Sequence, residues 1–220
     1  MTTTSPAPGA GAPRIDCYYS VRSIYAHFGA RRAAELARRF GRRLRHCPID
    51  LSKVVPAAGS TPFAQRSAAL RAYQFGREVE RWSEWLDMPV IVDPVHHYGD
   101  RDLPSGLVLL AQREGLDVDA LSEAILAALW RDDRDIADPG ELARIAAAVG
   151  IDAAPLLARA RDPDVLAEFA ACTDEAIRIG VPGSPTYVVD GELFYGQDRL
   201  MFVERHLQRP FGGGSGRQRL

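Results

Sequence analysis

Ser23 lies in the stretch Ser20-Val21-Arg22-Ser23-Ile24-Tyr25-Ala26, where strand-like alternation gives way to helical spacing. A hydroxyl at that junction has two uses. It can cap the helix. It can also donate a hydrogen bond to the sulfur of a bound thiol, at a helix end where unpaired N–H groups and the dipole favour negative charge. A second cluster lies far downstream in GVPGSPTYVVDGELFYGQDRL, residues 180–200. There Pro185 directly precedes a strand, and Asp198 opens the last helix, where it suits an ammonium or simply the helix dipole. Two cations join these. Lys53 is the only lysine among 27 basic residues, which marks it either as a needed compact ammonium or as a surface survivor. Arg22, beside Ser23, suits a substrate carboxylate or open solvent.

Other chemistries are disfavoured. Cys17, Cys47 and Cys172 are odd in number and form no C-x-x-C pair. They argue against a disulfide framework, a zinc knuckle and a dithiol centre, and read as small buried residues. His96 and His97 are adjacent, and no third ligand has regular spacing, so no metal is expected. A formal net charge of -2 favours no polyanion, so the expected partner is a small molecule and not nucleic acid. No run is long enough for a membrane span, and no secretion signal is visible at the N-terminus. A cytoplasmic location is expected.

The elements that must position Ser23 follow from periodicity. Ile15, Cys17 and Tyr19 alternate with Asp16, Tyr18 and Ser20, which predicts a strand. Phe28, Ala33, Leu36, Ala37 and Phe40 fall at helical spacing, with Ser23 at the cap position and Gly41 as the stop. Residues 44–49 (LRHCPI) read as a second strand, parallel to the first. Residues 51–179 have almost no strand character. Helices are predicted at 65–86, with Leu70, Tyr73, Val79, Trp82 and Leu86 on one side, and at 105–114, 118–130, 139–149 and 163–179. Strands return at 186–189 and 192–195 around the hairpin signal Asp190-Gly191, and a helix at 197–207 closes the fold.

The order is βαβ, a helical block, then ββα. An α/β, thioredoxin-like four-stranded sheet has that order, with a large all-helical insertion between the two halves. The domain expectation is a thioredoxin-like unit from 14–50 and 180–210, a helical insertion at 51–179, and disordered tails at 1–13 and 211–220. On this scaffold the working group sits at the start of the first helix, facing a cis proline, here Pro185, whose preceding residue Ser184 offers backbone groups to a bound thiol. A free thiol has a pKa of about 8.5, and lowering it by about 2 units needs ~2.7 kcal/mol. One charge-assisted hydrogen bond and a helix N-terminus suffice.

IDCYYSVRSIYAHFGARRAAELA, RWSEWLDMP and GSPTYVVDGELFYGQDRL together resemble the 2-hydroxychromene-2-carboxylate isomerase family. That family is close to kappa-class glutathione transferases within the DsbA-like thioredoxin superfamily. The family usually shows Ser-Pro-aromatic where this chain has Ser23-Ile24-Tyr25, and often an Asn-Arg pair where this chain has Gly59-Ser60-Thr61-Pro62. The resemblance implies that Ser23 activates glutathione, or another low-molecular-weight thiol. It implies thiol contacts from Ser184 beside cis Pro185, and from Gln197 and Asp198 at the γ-glutamyl end. It places Lys53 in the substrate region and implies a homodimer; Arg22 and Tyr25, beside Ser23, are read from their types and positions as further substrate contacts. The implied reaction opens an aromatic hemiketal carboxylate to a benzylidene pyruvate by reversible thiolate addition. Tyr25, Tyr73 and Trp82 suit a flat apolar pocket, although the last two also have core spacing. Conjugation of glutathione to an electrophile uses the same machinery, and a non-catalytic thiol-binding protein keeps the same fold.

Overall fold

The computed structural model describes residues 13–212. Most of the two expected tails, 1–13 and 211–220, therefore lies outside the described residues.

β1 (Arg14–Tyr19) leads into α1 (Ile24–Arg39), and β2 (Arg43–Pro48) returns beside it. β1 pairs parallel to β2, with Tyr18 opposite Cys47. It is a central strand, covered on both faces, so Tyr18 and Tyr19 are buried as well as Ile15 and Cys17. Ile24 and Phe28 fix α1 to the core, and the helix ends before Gly41, whose φ of 63° favours glycine.

The chain then runs through helices only. α2 (Leu51–Ala57) was not foreseen, because Pro56 sits in its last turn. Its start is set by Asp50, whose Oδ1 accepts from the Ser52 N–H at 2.8 Å. The helix expected over 65–86 is divided into α3 (Ala68–Ala72), a π-helical segment at Tyr73–Arg77 and α4 (Glu78–Leu86). The wider π turn changes the register of the two flanking helices. Val79 stays in the core, whereas Leu70 and Tyr73, expected beside it, are exposed. α5 (Asp102–Arg113), α6 (Val118–Trp130), α7 (Pro139–Ala148) and α9 (Pro163–Arg178) stand close to their expected bounds, with the short α8 (Ala154–Leu157) between the last two.

β3 (Thr186–Val189) pairs antiparallel with β1, and β4 (Glu192–Tyr195) with β3, around Asp190 and Gly191, both at positive φ. A 3-10 turn at Gln197–Arg199 precedes α10 (Leu200–Gln208). The sheet order is β2-β1-β3-β4, the thioredoxin-like arrangement expected. One continuous core joins the sheet to the helical block: α1 packs on α6, while α5 and α9 pack against β2. The side chain of Gln112 in α5 closes the free edge of β2, taking the His46 N–H at 2.7 Å and donating to its carbonyl at 3.0 Å. All three cysteines are buried and unpaired.

Candidate active site

The start of α1 faces the turn that enters β3. Ser23 has extended backbone (φ -85°, ψ 120°), as an N-cap must. Its Oγ accepts from the Ala26 N–H at 3.2 Å and donates toward the Ser184 carbonyl at 3.5 Å. So the cap does not exhaust the hydroxyl: its proton points across to the turn before β3. Ser184 answers with its own Oγ, which accepts from the Ser20 N–H at 3.0 Å. The Ser184–Pro185 bond is cis. Among the described residues the N–H groups of Ile24 and Tyr25 have no acceptor. These two donors and the Ser23 hydroxyl make the start of α1 suited to an anion.

A cavity of about 750 Å³ opens at this junction, and Ser23, Ile24, Ser184, Gln197 and Asp198 all reach its wall. Pro185 is buried behind Ser184 and does not line it. Gln197 is 1% exposed. Its Oε1 accepts from Arg32 at 2.6 Å, which turns the amide so that its N–H₂ end has no acceptor. Asp198 is paired with its neighbour Arg199. Close packing brings this turn against α1: a Cβ at Gly29 would stand 2.4 Å from the Tyr187 hydroxyl and 3.0 Å from the Gln197 Cβ.

The opposite wall comes from the helical block. Tyr25 donates its hydroxyl to the Gln74 carbonyl in the π segment and meets Phe75 edge-on. Burial, with Glu78 nearby, pushes its phenol up to about 12, so it stays protonated. Arg22 reaches the wall and donates to the Gly99 carbonyl at 2.7 Å. Lys53 does not: it lies on the exposed face of α2, while Leu51, Ser52 and Val55 of the same helix line the cavity. Tyr73 and Trp82, whose spacing also suited the core, both line the cavity. Sequence reasoning missed Arg66, Phe75, His97, Arg101 and Trp130, which complete this wall. His97 lies against Trp130 with ring centroids 4.7 Å apart, and burial beside Arg22 lowers its pKa, leaving a neutral ring. The adjacent histidines do diverge, since His96 turns to Asp133 instead.

A serine at the start of the first helix, a cis proline before the third strand and this sheet order define a thioredoxin-fold protein without a thiol pair of its own at that helix. Residues 14–208 match the DSBA-like thioredoxin domain, and the chain belongs to that family. Within it, the chain is 28% identical to the 2-hydroxychromene-2-carboxylate isomerase of Sphingobium xenophagum, over 88% of this chain and 97% of the relative. A namesake from Pseudomonas sp. (strain C18) is 25% identical over 86% of this chain and 88% of its own length. Among solved structures, a 2-hydroxychromene-2-carboxylate isomerase superposes with a TM-score of 0.75 at 21% identity, covering 89% of this chain and 94% of the other. The cytosolic disulfide reductase DsbM of Pseudomonas aeruginosa, solved with GSH, gives 0.60 at 21% identity, covering 90% and 93%. The motif-level resemblance thus extends over nearly the whole chain. No described helix is long and apolar enough to cross a membrane.

Proposed function

We propose that this chain is a glutathione-dependent isomerase, similar in reaction to its named relatives, acting on an aromatic or conjugated carboxylate. The observation that carries the reading is the meeting of Ser23 and Ser184, 161 residues apart, at one end of a cavity large enough for a thiol and a substrate together. The thiol enters with its sulfur at Ser23. The thiol's own proton leaves to solvent, the serine proton, now shared with the Ser184 carbonyl, turns to the sulfur, and the free amides of Ile24 and Tyr25 add to the stabilisation of the thiolate. The thiolate then adds to the conjugated double bond of the substrate. A carbon–sulfur bond forms, the π electrons move to the carbonyl oxygen, and the former double bond rotates. Reversal expels the thiolate and leaves the isomer, with no net consumption of thiol.

In this reading Ser184, Gln197 and Asp198 hold the thiol's polar end, with Pro185 behind them. Arg22 and Tyr25 face the substrate. Support for glutathione itself comes from the resemblance and from the fold shared with a reductase solved with GSH. The test is calorimetric titration with glutathione on wild type and Ser23→Ala, with thiolate absorbance read on each complex. The expected result is binding by both and thiolate only in wild type. If wild type binds no low-molecular-weight thiol, the reading fails. Turnover of a benzylidene pyruvate without loss of free thiol separates isomerisation from conjugation.

A further inference from the structure

Arg22 differs from the other cations of the cavity. Arg101 donates to Asp50 Oδ2 at 2.6 Å, and Arg199 is paired with Asp198. Arg66 has no carboxylate partner among the described residues either, but it spends two donors on the Thr61 carbonyl and on Gln74 Oε1, each at 3.0 Å. Arg22 is half-buried, yet among the described residues no carboxylate stands within ion-pair distance of it, and its one side-chain bond is to the Gly99 carbonyl. A guanidinium has five N–H donors, so most of those on Arg22, which lines the cavity, have no acceptor among the described residues.

The acids that might have compensated it are all engaged elsewhere. Asp50, 5% exposed, gives Oδ1 to the Ser52 amide and hydroxyl at 2.8 and 2.6 Å, and Oδ2 to Arg101. Asp100 accepts from Arg161 at 2.5 Å and from the amides of Asp102 and Leu103 at 3.1 and 3.2 Å. Asp102 leans toward Arg101 at 3.9 Å. Burial and the neighbouring Arg101 lower the pKa of Arg22 by more than the acids Asp50, Asp100 and Asp102 raise it, which is what a partly desolvated cation without a direct ion pair does. The partner such a cation lacks is an anion with two oxygens in a plane, which fits its fork. Beside it, the neutral His97 reaches the cavity wall and packs on the buried Trp130, with the two rings tilted by 56°.

We infer that Arg22 is the specificity-determining residue of this cavity: it binds the carboxylate of a planar conjugated substrate whose ring lies beside His97. The inference rests on the thiol-site reading above and deepens it. Of the two cations that the sequence offers for the carboxylate, Lys53 and Arg22, it takes the one next to the sulfur-activating serine.

The test compares an arylidene pyruvate with the matching arylidene acetone, which keeps the electrophile and lacks the carboxylate. For Arg22→Gln, kcat/KM on the pyruvate is expected to fall by about 50-fold, mainly through KM, and by less than about threefold on the acetone. Arg22→Lys should recover part of the loss, since it keeps charge and loses the fork. Equal losses on both substrates overturn the inference and leave Arg22 a structural role. Glutathione carries carboxylates too. If Arg22→Gln instead weakens glutathione and spares γ-glutamylcysteine, the cation serves the thiol's glycyl end, and the substrate assignment is overturned. Binding of the arylidene pyruvate alone, followed by tryptophan fluorescence, reads Arg22 without any thiol. A wild type that binds the pyruvate through Arg22 and ignores thiols would therefore sink the isomerase reading and leave this one standing.

Discussion

The two ends of the cavity are built by different means. The end proposed for the thiol is made from the first turn of α1, the turn before β3 and the 3-10 turn after β4, all tied directly to the sheet. Its polar groups are main-chain amides, one capping hydroxyl and short side chains. The end proposed for the substrate is made from α2, the π segment, the 3-10 turn at Val95–Tyr98, Glu78 and Trp82 of α4, and Trp130 of α6. Its groups are arginines and aromatic rings on long side chains. The difference teaches where tolerance to change lies. A sheet-anchored site depends on backbone position, and a helical wall depends on which side chains happen to reach it.

Protonation is the strongest way to separate the two ends. His27 stands one turn after Ser23, donates its N–H to the Ser23 carbonyl at 3.0 Å, and is 4% exposed with Nδ1 unpartnered. Burial first, then Arg131, lowers its pKa to about 4 from an ordinary 6.5. The unfolded chain binds this proton more readily, so the contribution to stability is whole above about pH 6.5 and is lost as pH falls toward 4. It amounts to about 3 kcal/mol. His96, in the 3-10 turn that supplies His97 but itself turned to Asp133, goes the other way. Its bonds to the Asp133 carbonyl and carboxylate raise its pKa, so what it contributes is present in acid and lost as pH rises through its folded value. Thermal melts between pH 7 and pH 4 should show a steep loss of Tm in wild type and a flatter one in His27→Gln. An unchanged slope in that variant would break the contrast.

The next effect is steric. Gly29→Ala drives a methyl into the Tyr187 hydroxyl and the Gln197 Cβ. Overpacking of that kind costs about 1–3 kcal/mol, partly offset by the ~1 kcal/mol helix preference of alanine over glycine. Gly76, in the π segment of the other wall, would place its Cβ in open space. Gly76→Ala should leave the denaturation midpoint within about 0.5 kcal/mol of wild type. Denaturant titrations of the two variants side by side measure the difference, and glutathione affinity should fall only in the first.

Ile24 sharpens the thiol end alone. The helix start would accept a proline there, since Ser23 already has the extended backbone that a following proline requires. Proline has no N–H. Ile24→Pro should therefore raise the pKa of bound glutathione by about 1 unit, worth ~1.4 kcal/mol, as read by thiolate absorbance across pH. Ile24→Ala removes more side chain and keeps the N–H, so it should leave that pKa close to wild type. Equal shifts in both variants would mean that packing, not the amide, sets the thiolate.

The same contrast explains what the sequence revealed. The order of strands and the bounds of β3, β4 and α6 follow from alternation, hairpin chemistry and capping, which are local signals, and the meeting of Ser23 with the Ser184–Pro185 turn follows from the thioredoxin-like scaffold that this order implies. The helical wall carries no such signal. Pro56 hid α2, and the π turn at Tyr73–Arg77 moved Tyr73 out of the face its spacing suggested. Arg66, His97 and Arg101 sit in irregular segments or at helix starts, where periodicity says nothing about which way a side chain turns.

Lys53 is the smallest expected effect and the most direct check of that lesson. A lone lysine in an arginine-rich chain, just past the second strand, invites a role in binding. The helix that carries it decides otherwise. α2 turns Leu51, Ser52 and Val55 to the cavity and leaves Lys53 in solvent, with no ion pair among the described residues. A solvated ammonium at that distance is screened within about 8–10 Å by ordinary salt. Lys53→Ala should leave kcat/KM within about twofold on both the carboxylate and the neutral substrate, and stability within about 0.5 kcal/mol. A carboxylate-selective loss as large as that of Arg22→Gln would return the cation to α2 and require the wall to close over it when substrate binds.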